Sequence, residues 1–308
     1  MLRAMSDSAV PPLPSPTRRV ASIDGVIHAP EDAKVSVYDR GFLYGDSVFE
    51  TIRTYGGEPF ALGEHLARLE RSAEKVFITM PLDAAALALE VRLAVRAARN
   101  PESYARIMIT RGEGPLGLDP ALARAPLRVI LVEPLVPLPA ALYREGARVV
   151  TVHTVRAADA AQGAKVGNYL ASMMALKQAK AAGAHEALIV DGRGAIVEGA
   201  TSNFFLVVEG ALITPPEEQG ILPGITRAHL LEVAAELGIA VRLQPISEGD
   251  LAGATEAFLS SSLREVLPVI QVDARVIGSG EPGPVTRRLH AAFRRRVGVG
   301  NEPMPWEG

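Results

Sequence analysis

The chain has 308 residues, of which 48% are hydrophobic and 22% charged, and its net charge is −3. This length is enough to bury one large core or two moderate ones, and the lack of a basic excess argues against nucleic acid or an anionic membrane as a partner. Because there is no cysteine, disulfide scaffolds, thiolate metal sites and cysteine nucleophiles are excluded. The six histidines lack the spacing of a metal motif, so we predict no metal site.

The first residues, 1–19, are rich in proline and serine and lack the apolar stretch of a secretion signal. We therefore predict a disordered tail over this range. No run approaches the roughly 18 apolar residues that a membrane-spanning helix needs, so we expect no membrane partner and a cytoplasmic location.

Residues 20–132 are predicted to form a small N-terminal α/β domain. The β-branched and aromatic run Ser47–Tyr55, followed by Gly56 and Gly57, predicts a strand that enters a hairpin. Apolar periodicity predicts two helices, Glu64–Phe77 and Ala84–Arg99. Two further strands are predicted at Tyr104–Thr110 and Leu127–Val132.

Three prolines at positions 134, 137 and 139 indicate an interdomain linker over residues 133–140. Residues 141–298 are predicted to form a larger, β-rich C-terminal domain, and residues 299–308 a C-terminal tail. Its predicted strands are Ala147–His153, Ala187–Val190, Ala195–Glu198, Asn203–Val208, Ala211–Thr214, Ala240–Gln244 and Glu256–Ser260. Its predicted helices are Tyr169–Ala182, Thr226–Leu237 and Pro284–Arg296. This order is typical of two α+β domains and not of a doubly wound nucleotide fold.

Lys165 is unusual among the five lysines because small and neutral residues surround it, without an adjacent carboxylate. A buried lysine in such a setting loses part of the stabilisation of its charge, its pKa falls, and the free amine becomes nucleophilic. From this segment alone, an exposed loop lysine is the simpler interpretation.

Other candidates are individually weak. Gly220–Arg227 precedes an amphipathic helix and offers free N–H groups and the Thr226 hydroxyl to an anion, although an ordinary threonine N-cap explains it equally well. Glu198 ends a strand beside small residues, where a carboxylate can hold a pyridine nitrogen protonated. Arg68, which shares a helix face with His65, is suited to a bidentate phosphate contact. Further candidates for a pocket wall or a carboxylate clamp are Tyr44, Tyr104, Arg106 and Tyr169.

Taken together, these motifs resemble the class IV aminotransferases, also called fold-type IV enzymes of pyridoxal 5′-phosphate (PLP). The similarity covers roughly Ala21 to Gly298 and is strongest in KVGNYL, GAHEALIVD, IVEGATSNFF, LITPP and ILPGITR, between Lys165 and Arg227. The N-terminal segments DRGFLYGDSVFETIR and HLARLERSA also match. The resemblance implies the two-domain fold of the D-amino acid aminotransferases, PLP as cofactor, and a homodimer in which residues near Tyr44 contribute to the neighbouring site.

The resemblance also implies a role for each matching residue. Lys165 is then the Schiff-base lysine and proton shuttle, and Glu198 the partner of the pyridine nitrogen. Arg68, Ile225 and Thr226 hold the phosphate, Ser261 and Ser262 stand at a turn that binds phosphate and substrate carboxylate, and Tyr169 lies near the phenolic oxygen of the cofactor. The residues implied for the substrate are Tyr44, Phe49, Thr51, Tyr104 and Arg106.

Within this family, Tyr104-Ala105-Arg106 and the segment Gly112–Pro120 favour a branched-chain type, whose arginine receives a second substrate carboxylate. We therefore predict transamination between a branched-chain or hydrophobic amino acid and a 2-oxo acid such as 2-oxoglutarate. Thr51 departs from the branched-chain pattern, which usually has glycine there, and implies a narrower pocket floor. Thr201-Ser202-Asn203 is closer to D-amino acid aminotransferases and lyases than to typical branched-chain enzymes. The third alternative is an aminodeoxychorismate lyase that releases pyruvate and 4-aminobenzoate.

Overall fold

The computed structural model describes residues 19–154 and 161–307. The tail predicted for residues 1–19 falls almost wholly outside the described residues. Within them, the strands assemble into two separate sheets of six and ten strands, which confirms the α+β class expected from the sequence.

The first sheet is antiparallel throughout and lies in the N-terminal part of the chain, with strand order β2-β1-β6-β5-β3-β4. Its strands are β1 (Val20–Ile23), β2 (Val26–His28), β3 (Ser47–Tyr55), β4 (Glu58–Pro59), β5 (Ser103–Thr110) and β6 (Leu127–Pro134). The accompanying helices are α1 (Arg40–Tyr44), α2 (Leu62–Lys75) and α3 (Ala84–Ala98). Asp83 caps α3 by accepting a hydrogen bond from the backbone N–H of Ala86.

The two faces of this sheet differ because side chains alternate along each strand. Val48 and Ile52 of β3 are fully buried and pack in one core with Leu66 and Leu69 of α2. The other face carries Phe49, Thr51 and Arg53 of β3 opposite Met108, Arg106 and Tyr104 of β5. We call this second face the open face, because Phe49, Thr51 and Arg53 are not part of that core.

The second sheet has the order β12-β11-β10-β14-β15-β7-β8-β9-β13, and β16 pairs with β15. Its strands are β7 (Ala147–His153), β8 (Glu186–Val190), β9 (Ala195–Gly199), β10 (Asn203–Val208), β11 (Ala211–Thr214), β12 (Val241–Leu243), β13 (Ile246–Ser247), β14 (Glu256–Ser261), β15 (Glu265–Val272) and β16 (Arg275–Val276). The helices are α4 (Ala140–Glu145), α5 (Leu170–Ala181), α6 (Ile225–Glu236) and α7 (Pro284–Arg296). The pairs β7–β8, β7–β15 and β11–β12 are parallel.

Helices α6 and α7 cover one face of the large sheet. Phe205 and Phe258 stack with ring centroids 4.6 Å apart and share a core with Leu230 of α6 and Phe293 of α7. Because α6 packs along this face, its first residues lie beside Asn203, the first residue of β10. That placement brings the start of a helix to the edge of the sheet, close to the end of β9.

Most predicted elements are confirmed, with ends that differ by one or two residues. Strand β6 continues through Pro134, two residues into the segment predicted as a linker, because a proline at the last position of a strand sacrifices only one ladder hydrogen bond. Strand β15 is absent from the sequence prediction, which ended the strands at Ser260. The omission has a physical cause, since Pro268 lies in the middle of β15 and proline is unfavourable inside a strand.

Candidate active site

The segment that carries Lys165 is attached to the small domain. The backbone N–H of Phe49 donates to the carbonyl of Lys165 at 2.9 Å, and that of Gly167 donates to the carbonyl of Ser47 at 2.7 Å. These bonds make Val166 an antiparallel bridge partner of Val48. The segment around Lys165 therefore pairs with β3 and extends the small sheet, although it lies in the C-terminal half of the chain.

Glycine is required at position 167 because the segment approaches β3 closely. A Cβ on Gly167 would lie 2.1 Å from the Oγ of Ser47. Helix α2 adds two further attachments: the N–H of Lys165 donates to Ser72 Oγ at 3.1 Å, and Lys75 Nζ donates to the carbonyl of Gln162 at 2.9 Å. The catalytic candidate thus has a fixed backbone, which limits where its side chain can reach.

The Lys165 side chain points at two aromatic rings. Its Nζ lies 3.3 Å from the hydroxyl of Tyr169 and 4.6 Å from the centroid of Phe49, and the two rings meet edge to face at 5.0 Å. Burial disfavours the ammonium form and lowers the pKa of Lys165 to about 8 from its ordinary 10.5, although the nearby Glu50 carboxylate offsets part of this effect. A larger fraction of neutral amine is therefore present near physiological pH than for a surface lysine.

Glu198 is buried at the end of β9, and its carboxylate accepts a hydrogen bond from the backbone N–H of Leu222 at 3.0 Å. The next residue, Gly199, packs so closely that a Cβ there would lie 2.1 Å from Ser202 Oγ. A glycine is therefore needed at the position after Glu198, where Ser202 packs against the backbone. The sequence analysis predicted a carboxylate at a strand end next to small residues, and Glu198 lies near the end of β9, followed by Gly199 and Ala200.

The start of α6 is the second element beside Glu198. Gly224 is its N-cap and supplies no side-chain hydrogen bond, so the first N–H groups of the helix have no cap from that residue. Ile225 and Thr226 are both buried. Asn203 Nδ2 donates to the carbonyl of Leu222 at 2.9 Å and fixes the approach to the helix. This arrangement suits an anion, as helix starts in general do.

Arg68 faces the same helix start but is oriented differently from the prediction. Its Nε and Nη2 bind the carboxylate of Glu50 at 2.6 and 2.7 Å, while Nη1 donates to the carbonyl of Pro223 at 2.8 Å. The bidentate edge predicted to bind phosphate is therefore directed at Glu50, because that buried carboxylate needs a cation. Only the Nη1 side is turned towards the loop that precedes α6.

Ser261 and Ser262 lie where β14 turns into β15, and both are half-buried. The adjacent pairing of Asn203 with Ser260 places this turn beside the start of β10. Arg264, in the same turn, donates from Nη2 to Thr201 Oγ1 at 2.7 Å. The turn, the end of β9 and the start of α6 are thus brought to one region of the large domain.

The predicted substrate residues separate into two groups. Thr51 and Arg106 are direct partners in the pairing of β3 with β5, and the Arg106 guanidinium lies 3.8 Å from the centroid of Phe49. Tyr104 lies one row further along the same face. Tyr44 stands apart from these residues, because its hydroxyl accepts a hydrogen bond from the N–H of Gly117 at 3.2 Å.

Several residues at the site were not singled out from the sequence. Glu50 is fully buried and also accepts from His65 Nδ1 at 2.7 Å. Burial opposes its ionisation, but the hydrogen bonds from Arg68 and His65 prevail and lower the pKa of Glu50 to about 2. Ser72 could have been predicted, because it lies four residues after Arg68 and therefore on the same face of α2. Glu50 had no such sequence signal, since its partners are set by the packing of α2 on β3.

Across residues 19–154 and 161–307, no helix is both long and apolar enough to span a bilayer. The same residues contain no group of three or more histidine, aspartate or glutamate side chains arranged to hold a metal ion.

Solved structures of known enzymes resemble this fold closely. The branched-chain amino acid aminotransferase of Escherichia coli superposes with a TM-score of 0.86 at 33% identity, covering 93% of this chain and 97% of that one. The T.th. branched-chain amino acid aminotransferase with pyridoxamine 5′-phosphate gives a TM-score of 0.84 at 32% identity, with 94% and 96% coverage.

Sequence relatives agree with the structural neighbours. A Methanocaldococcus jannaschii protein with a provisional branched-chain-amino-acid aminotransferase name is 41% identical over 266 residues, which are 86% of this chain and 91% of that protein. The D-alanine aminotransferase of Bacillus licheniformis is 30% identical over 86% of this chain and 93% of its own length. The family model for amino-transferase class IV matches residues 47–272. The chain belongs to the class IV aminotransferases, which are PLP-dependent enzymes.

Proposed function

We propose that this aminotransferase transfers the amino group of branched-chain or other hydrophobic amino acids to a 2-oxo acid such as 2-oxoglutarate, with PLP attached to Lys165. The observation that carries the proposal is the position of the Lys165 amine. It lies against Phe49 and Tyr169, on the open face of the small sheet, and its pKa is lowered to about 8.

The residues present fit this cofactor. An amine of lowered pKa suits attachment to a carbonyl carbon, a buried carboxylate at Glu198 suits a protonated ring nitrogen, and the start of α6 suits a phosphate. Gly199, the residue after Glu198, has no side chain that could obstruct a flat ring. The Tyr169 hydroxyl, 3.3 Å from Lys165 Nζ, is suited to contact the phenolic oxygen.

When bound, PLP supplies an electron-withdrawing ring that stabilises negative charge at the substrate α-carbon. Lys165 then acts as the general base that takes the α-proton, and its pKa of about 8 suits proton exchange near neutral pH. Glu198 keeps the ring nitrogen protonated. Ile225 and Thr226 offer N–H and hydroxyl donors to the phosphate, together with Ser261 and Ser262 at the opposite turn.

The substrate side chain is proposed to lie on the open face. Phe49 supplies an apolar surface, and Thr51 narrows the pocket relative to a glycine. Arg106, in register with Thr51, is positioned to bind the second carboxylate of a dicarboxylic 2-oxo acid. An apolar wall beside one cation suits alternating hydrophobic and acidic substrates. The branched-chain names of the relatives and structural neighbours support this assignment.

The second candidate function is a D-amino acid aminotransferase. It is favoured by Thr201-Ser202-Asn203 after Glu198 and by the similarity to a D-alanine aminotransferase. Arg264 binds Thr201, so this segment has a defined conformation beside the turn that carries Ser261. Aminodeoxychorismate lyase activity stays an alternative prediction from the sequence.

The test is a half-reaction screen on the purified holoenzyme. The visible absorption band of the lysine-bound cofactor should be converted by L-leucine faster than by D-alanine, and pyruvate should not be released from aminodeoxychorismate. In Lys165→Ala the band should be absent and turnover should fall by several orders of magnitude. A Lys165→Ala protein that keeps both the band and the activity would overturn the site assignment.

A homodimer is part of the same proposal. Several large apolar side chains around α1 and the loop after β5 are exposed in the single chain, among them Phe42 at 67% and Leu118 at 79%. Covering such a patch with a second copy would remove it from water. Sedimentation at low protein concentration should give twice the chain mass. The cytoplasmic location expected from the sequence stays a prediction.

A further inference from the structure

Glu265 is a buried carboxylate at the contact between the two domains. It is 2% exposed, and its Oε1 accepts from Arg53 Nη1 at 2.8 Å and from the Tyr55 hydroxyl at 3.1 Å. Its Oε2 accepts from His290 Nε2 at 2.6 Å, and Arg294 Nη1 lies 3.2 Å from both oxygens. Four side chains from β3 and α7 therefore converge on one residue.

This carboxylate stays ionised. Burial raises its pKa, but the hydrogen bond from His290 and the charges of His290, Arg53 and Arg294 outweigh that effect and lower the pKa of Glu265 to about 2. An ionised group at this depth is held only while its partners keep their positions. The position of Glu265 is therefore tightly coupled to β3, on the far side of the domain boundary.

Glu265 also closes the turn that carries Ser261 and Ser262. It is the direct strand partner of Ser261, and its φ of +57° is a left-handed conformation that a glutamate adopts only under strong local constraint. On its other side, Arg264 pairs with buried Glu186 at 2.5 Å. Arg264 and Glu265 are thus each fixed by an ion pair. That of Arg264 lies within the large domain, and that of Glu265 crosses to the small domain.

Arg53 is the link across the boundary. It lies on the open face of β3, in the same alternating series as Phe49 and Thr51, and its guanidinium stacks 4.2 Å from the centroid of the Tyr55 ring. Because β3 also binds the backbone of Lys165, the strand that positions the reacting amine is joined through Arg53 to the turn opposite. The ion pair therefore joins β3 of the small domain to the Ser261–Arg264 turn of the large domain.

We propose that Arg53 and Glu265 form an interdomain clamp that holds the Ser261–Arg264 turn at the distance from β3 needed to bind anionic groups. Both are positioning residues, and their effect is on the affinity for the cofactor phosphate and the substrate carboxylate. The clamp rests on the proposed function only in that Ser261 and Ser262 are taken to face these anions. It leaves the chemistry of Lys165 unchanged.

The test compares Glu265→Gln with Glu256→Gln. Glu256 is a matched control, since it is also a buried carboxylate of the large sheet, but it caps α7 through the N–H groups of Val285 and Thr286. Three readouts are needed for each variant: the Kd of PLP from absorbance titration of the apoprotein, the KM and kcat of the holoenzyme, and the Tm.

In Glu265→Gln, the Kd of PLP and the KM of the amino donor should rise about tenfold, because small displacements of binding groups are costly, with kcat within about threefold. Glu256→Gln should lower the Tm with no such rise in Kd or KM. If Glu265→Gln lowers only the Tm, the clamp is wrong and Glu265 is merely structural. If Glu265→Gln does not fold, Arg53→Met decides by the same Kd and KM criteria.

Failure of the clamp can be told apart from failure of the proposed function. If the wild-type protein shows no visible band with PLP and no transamination, the proposed function fails before any variant is compared. If the wild-type protein shows both and Glu265→Gln has the same Kd and KM, only the clamp is refuted.

Discussion

The segment that carries Lys165 and the start of α6 lie at two ends of the candidate site and are held by different kinds of contact. The lysine segment is attached mainly through its backbone, by hydrogen bonds to Ser47 and Phe49 of β3. The start of α6 is attached through side chains, since Asn203 and Glu198 both bind Leu222. One end therefore belongs to the small domain and the other to the large domain.

A single helix contacts both ends. Arg68, Ser72 and Lys75 are spaced at i, i+4 and i+7 on one side of α2. Arg68 reaches the carbonyl of Pro223, while Ser72 and Lys75 bind the lysine segment. Helix α2 thus joins the lysine segment to the loop before α6, through buried Arg68 and Ser72 and exposed Lys75.

The largest expected effect follows from removing the support of Arg68 with Glu50→Ala. Arg68 and His65 are both buried and would lose their carboxylate partner. Leaving a buried cation without its partner costs about 3–5 kcal/mol, so the free energy of unfolding in urea should fall by about that amount. The affinity for PLP should fall as well, since Arg68 would no longer be fixed towards Pro223.

Glu50→Gln is the matched control, because glutamine has nearly the same size and shape as glutamate. The amide keeps one acceptor oxygen but removes the charge, so its loss of stability should be smaller than that of Glu50→Ala. Equal unfolding free energies for wild type and Glu50→Ala would show that Arg68 has another partner, and the role of α2 in joining the two ends would have to be abandoned.

The second prediction concerns the amine end alone. Because burial lowers the pKa of Lys165 to about 8, and the neutral amine is the reacting form, the rate of PLP capture by the apoprotein should rise with pH, with its midpoint near pH 8, and level off only well above that pH. The Glu50 carboxylate raises this pKa, so the midpoint should move to lower pH in Glu50→Gln. A stopped-flow absorbance series over pH measures both. A midpoint near the ordinary value of 10.5 would mean that Lys165 is solvated.

The elements that form the two ends of the candidate site could be predicted from the sequence, but the contacts that join the two ends could not. Strand β3 and helix α7 have the predicted bounds, Ser47–Tyr55 and Pro284–Arg296, because turn residues or a proline mark their limits. Small neighbouring residues made Lys165 and Glu198 candidates only, and the roles predicted for them came from the resemblance of ordered motifs to the family. These signals are local, and each is readable within a few residues.

Contacts across long stretches of sequence were not readable in the same way. Glu265 binds Arg53, more than two hundred positions away in the sequence. No sequence pattern around either residue predicts this contact. The bidentate edge of Arg68 was assigned to phosphate since nothing local revealed Glu50 beneath it. Polar residues on the buried side of α2 also look like surface positions until the second domain is placed against them.

The smallest expected effect is that of Ser72→Ala, which removes one attachment of the lysine segment and none of the α6 end. The part-buried N–H of Lys165 would lose its acceptor, at a cost towards the low end of about 1–3 kcal/mol, but the two backbone bonds to β3 would remain. The free energy of unfolding should therefore fall less than in Glu50→Ala, and the KM of the amino donor should change little while PLP capture slows. Ser260→Ala is the control for stability, since Ser260 Oγ is buried without a hydrogen-bond partner among the described residues, and it should unfold like the wild type. If Ser72→Ala also behaves like the wild type in both capture rate and stability, Ser72 adds nothing to the attachment of the lysine segment, and the contrast between the backbone-held lysine segment and the side-chain-held start of α6 becomes sharper.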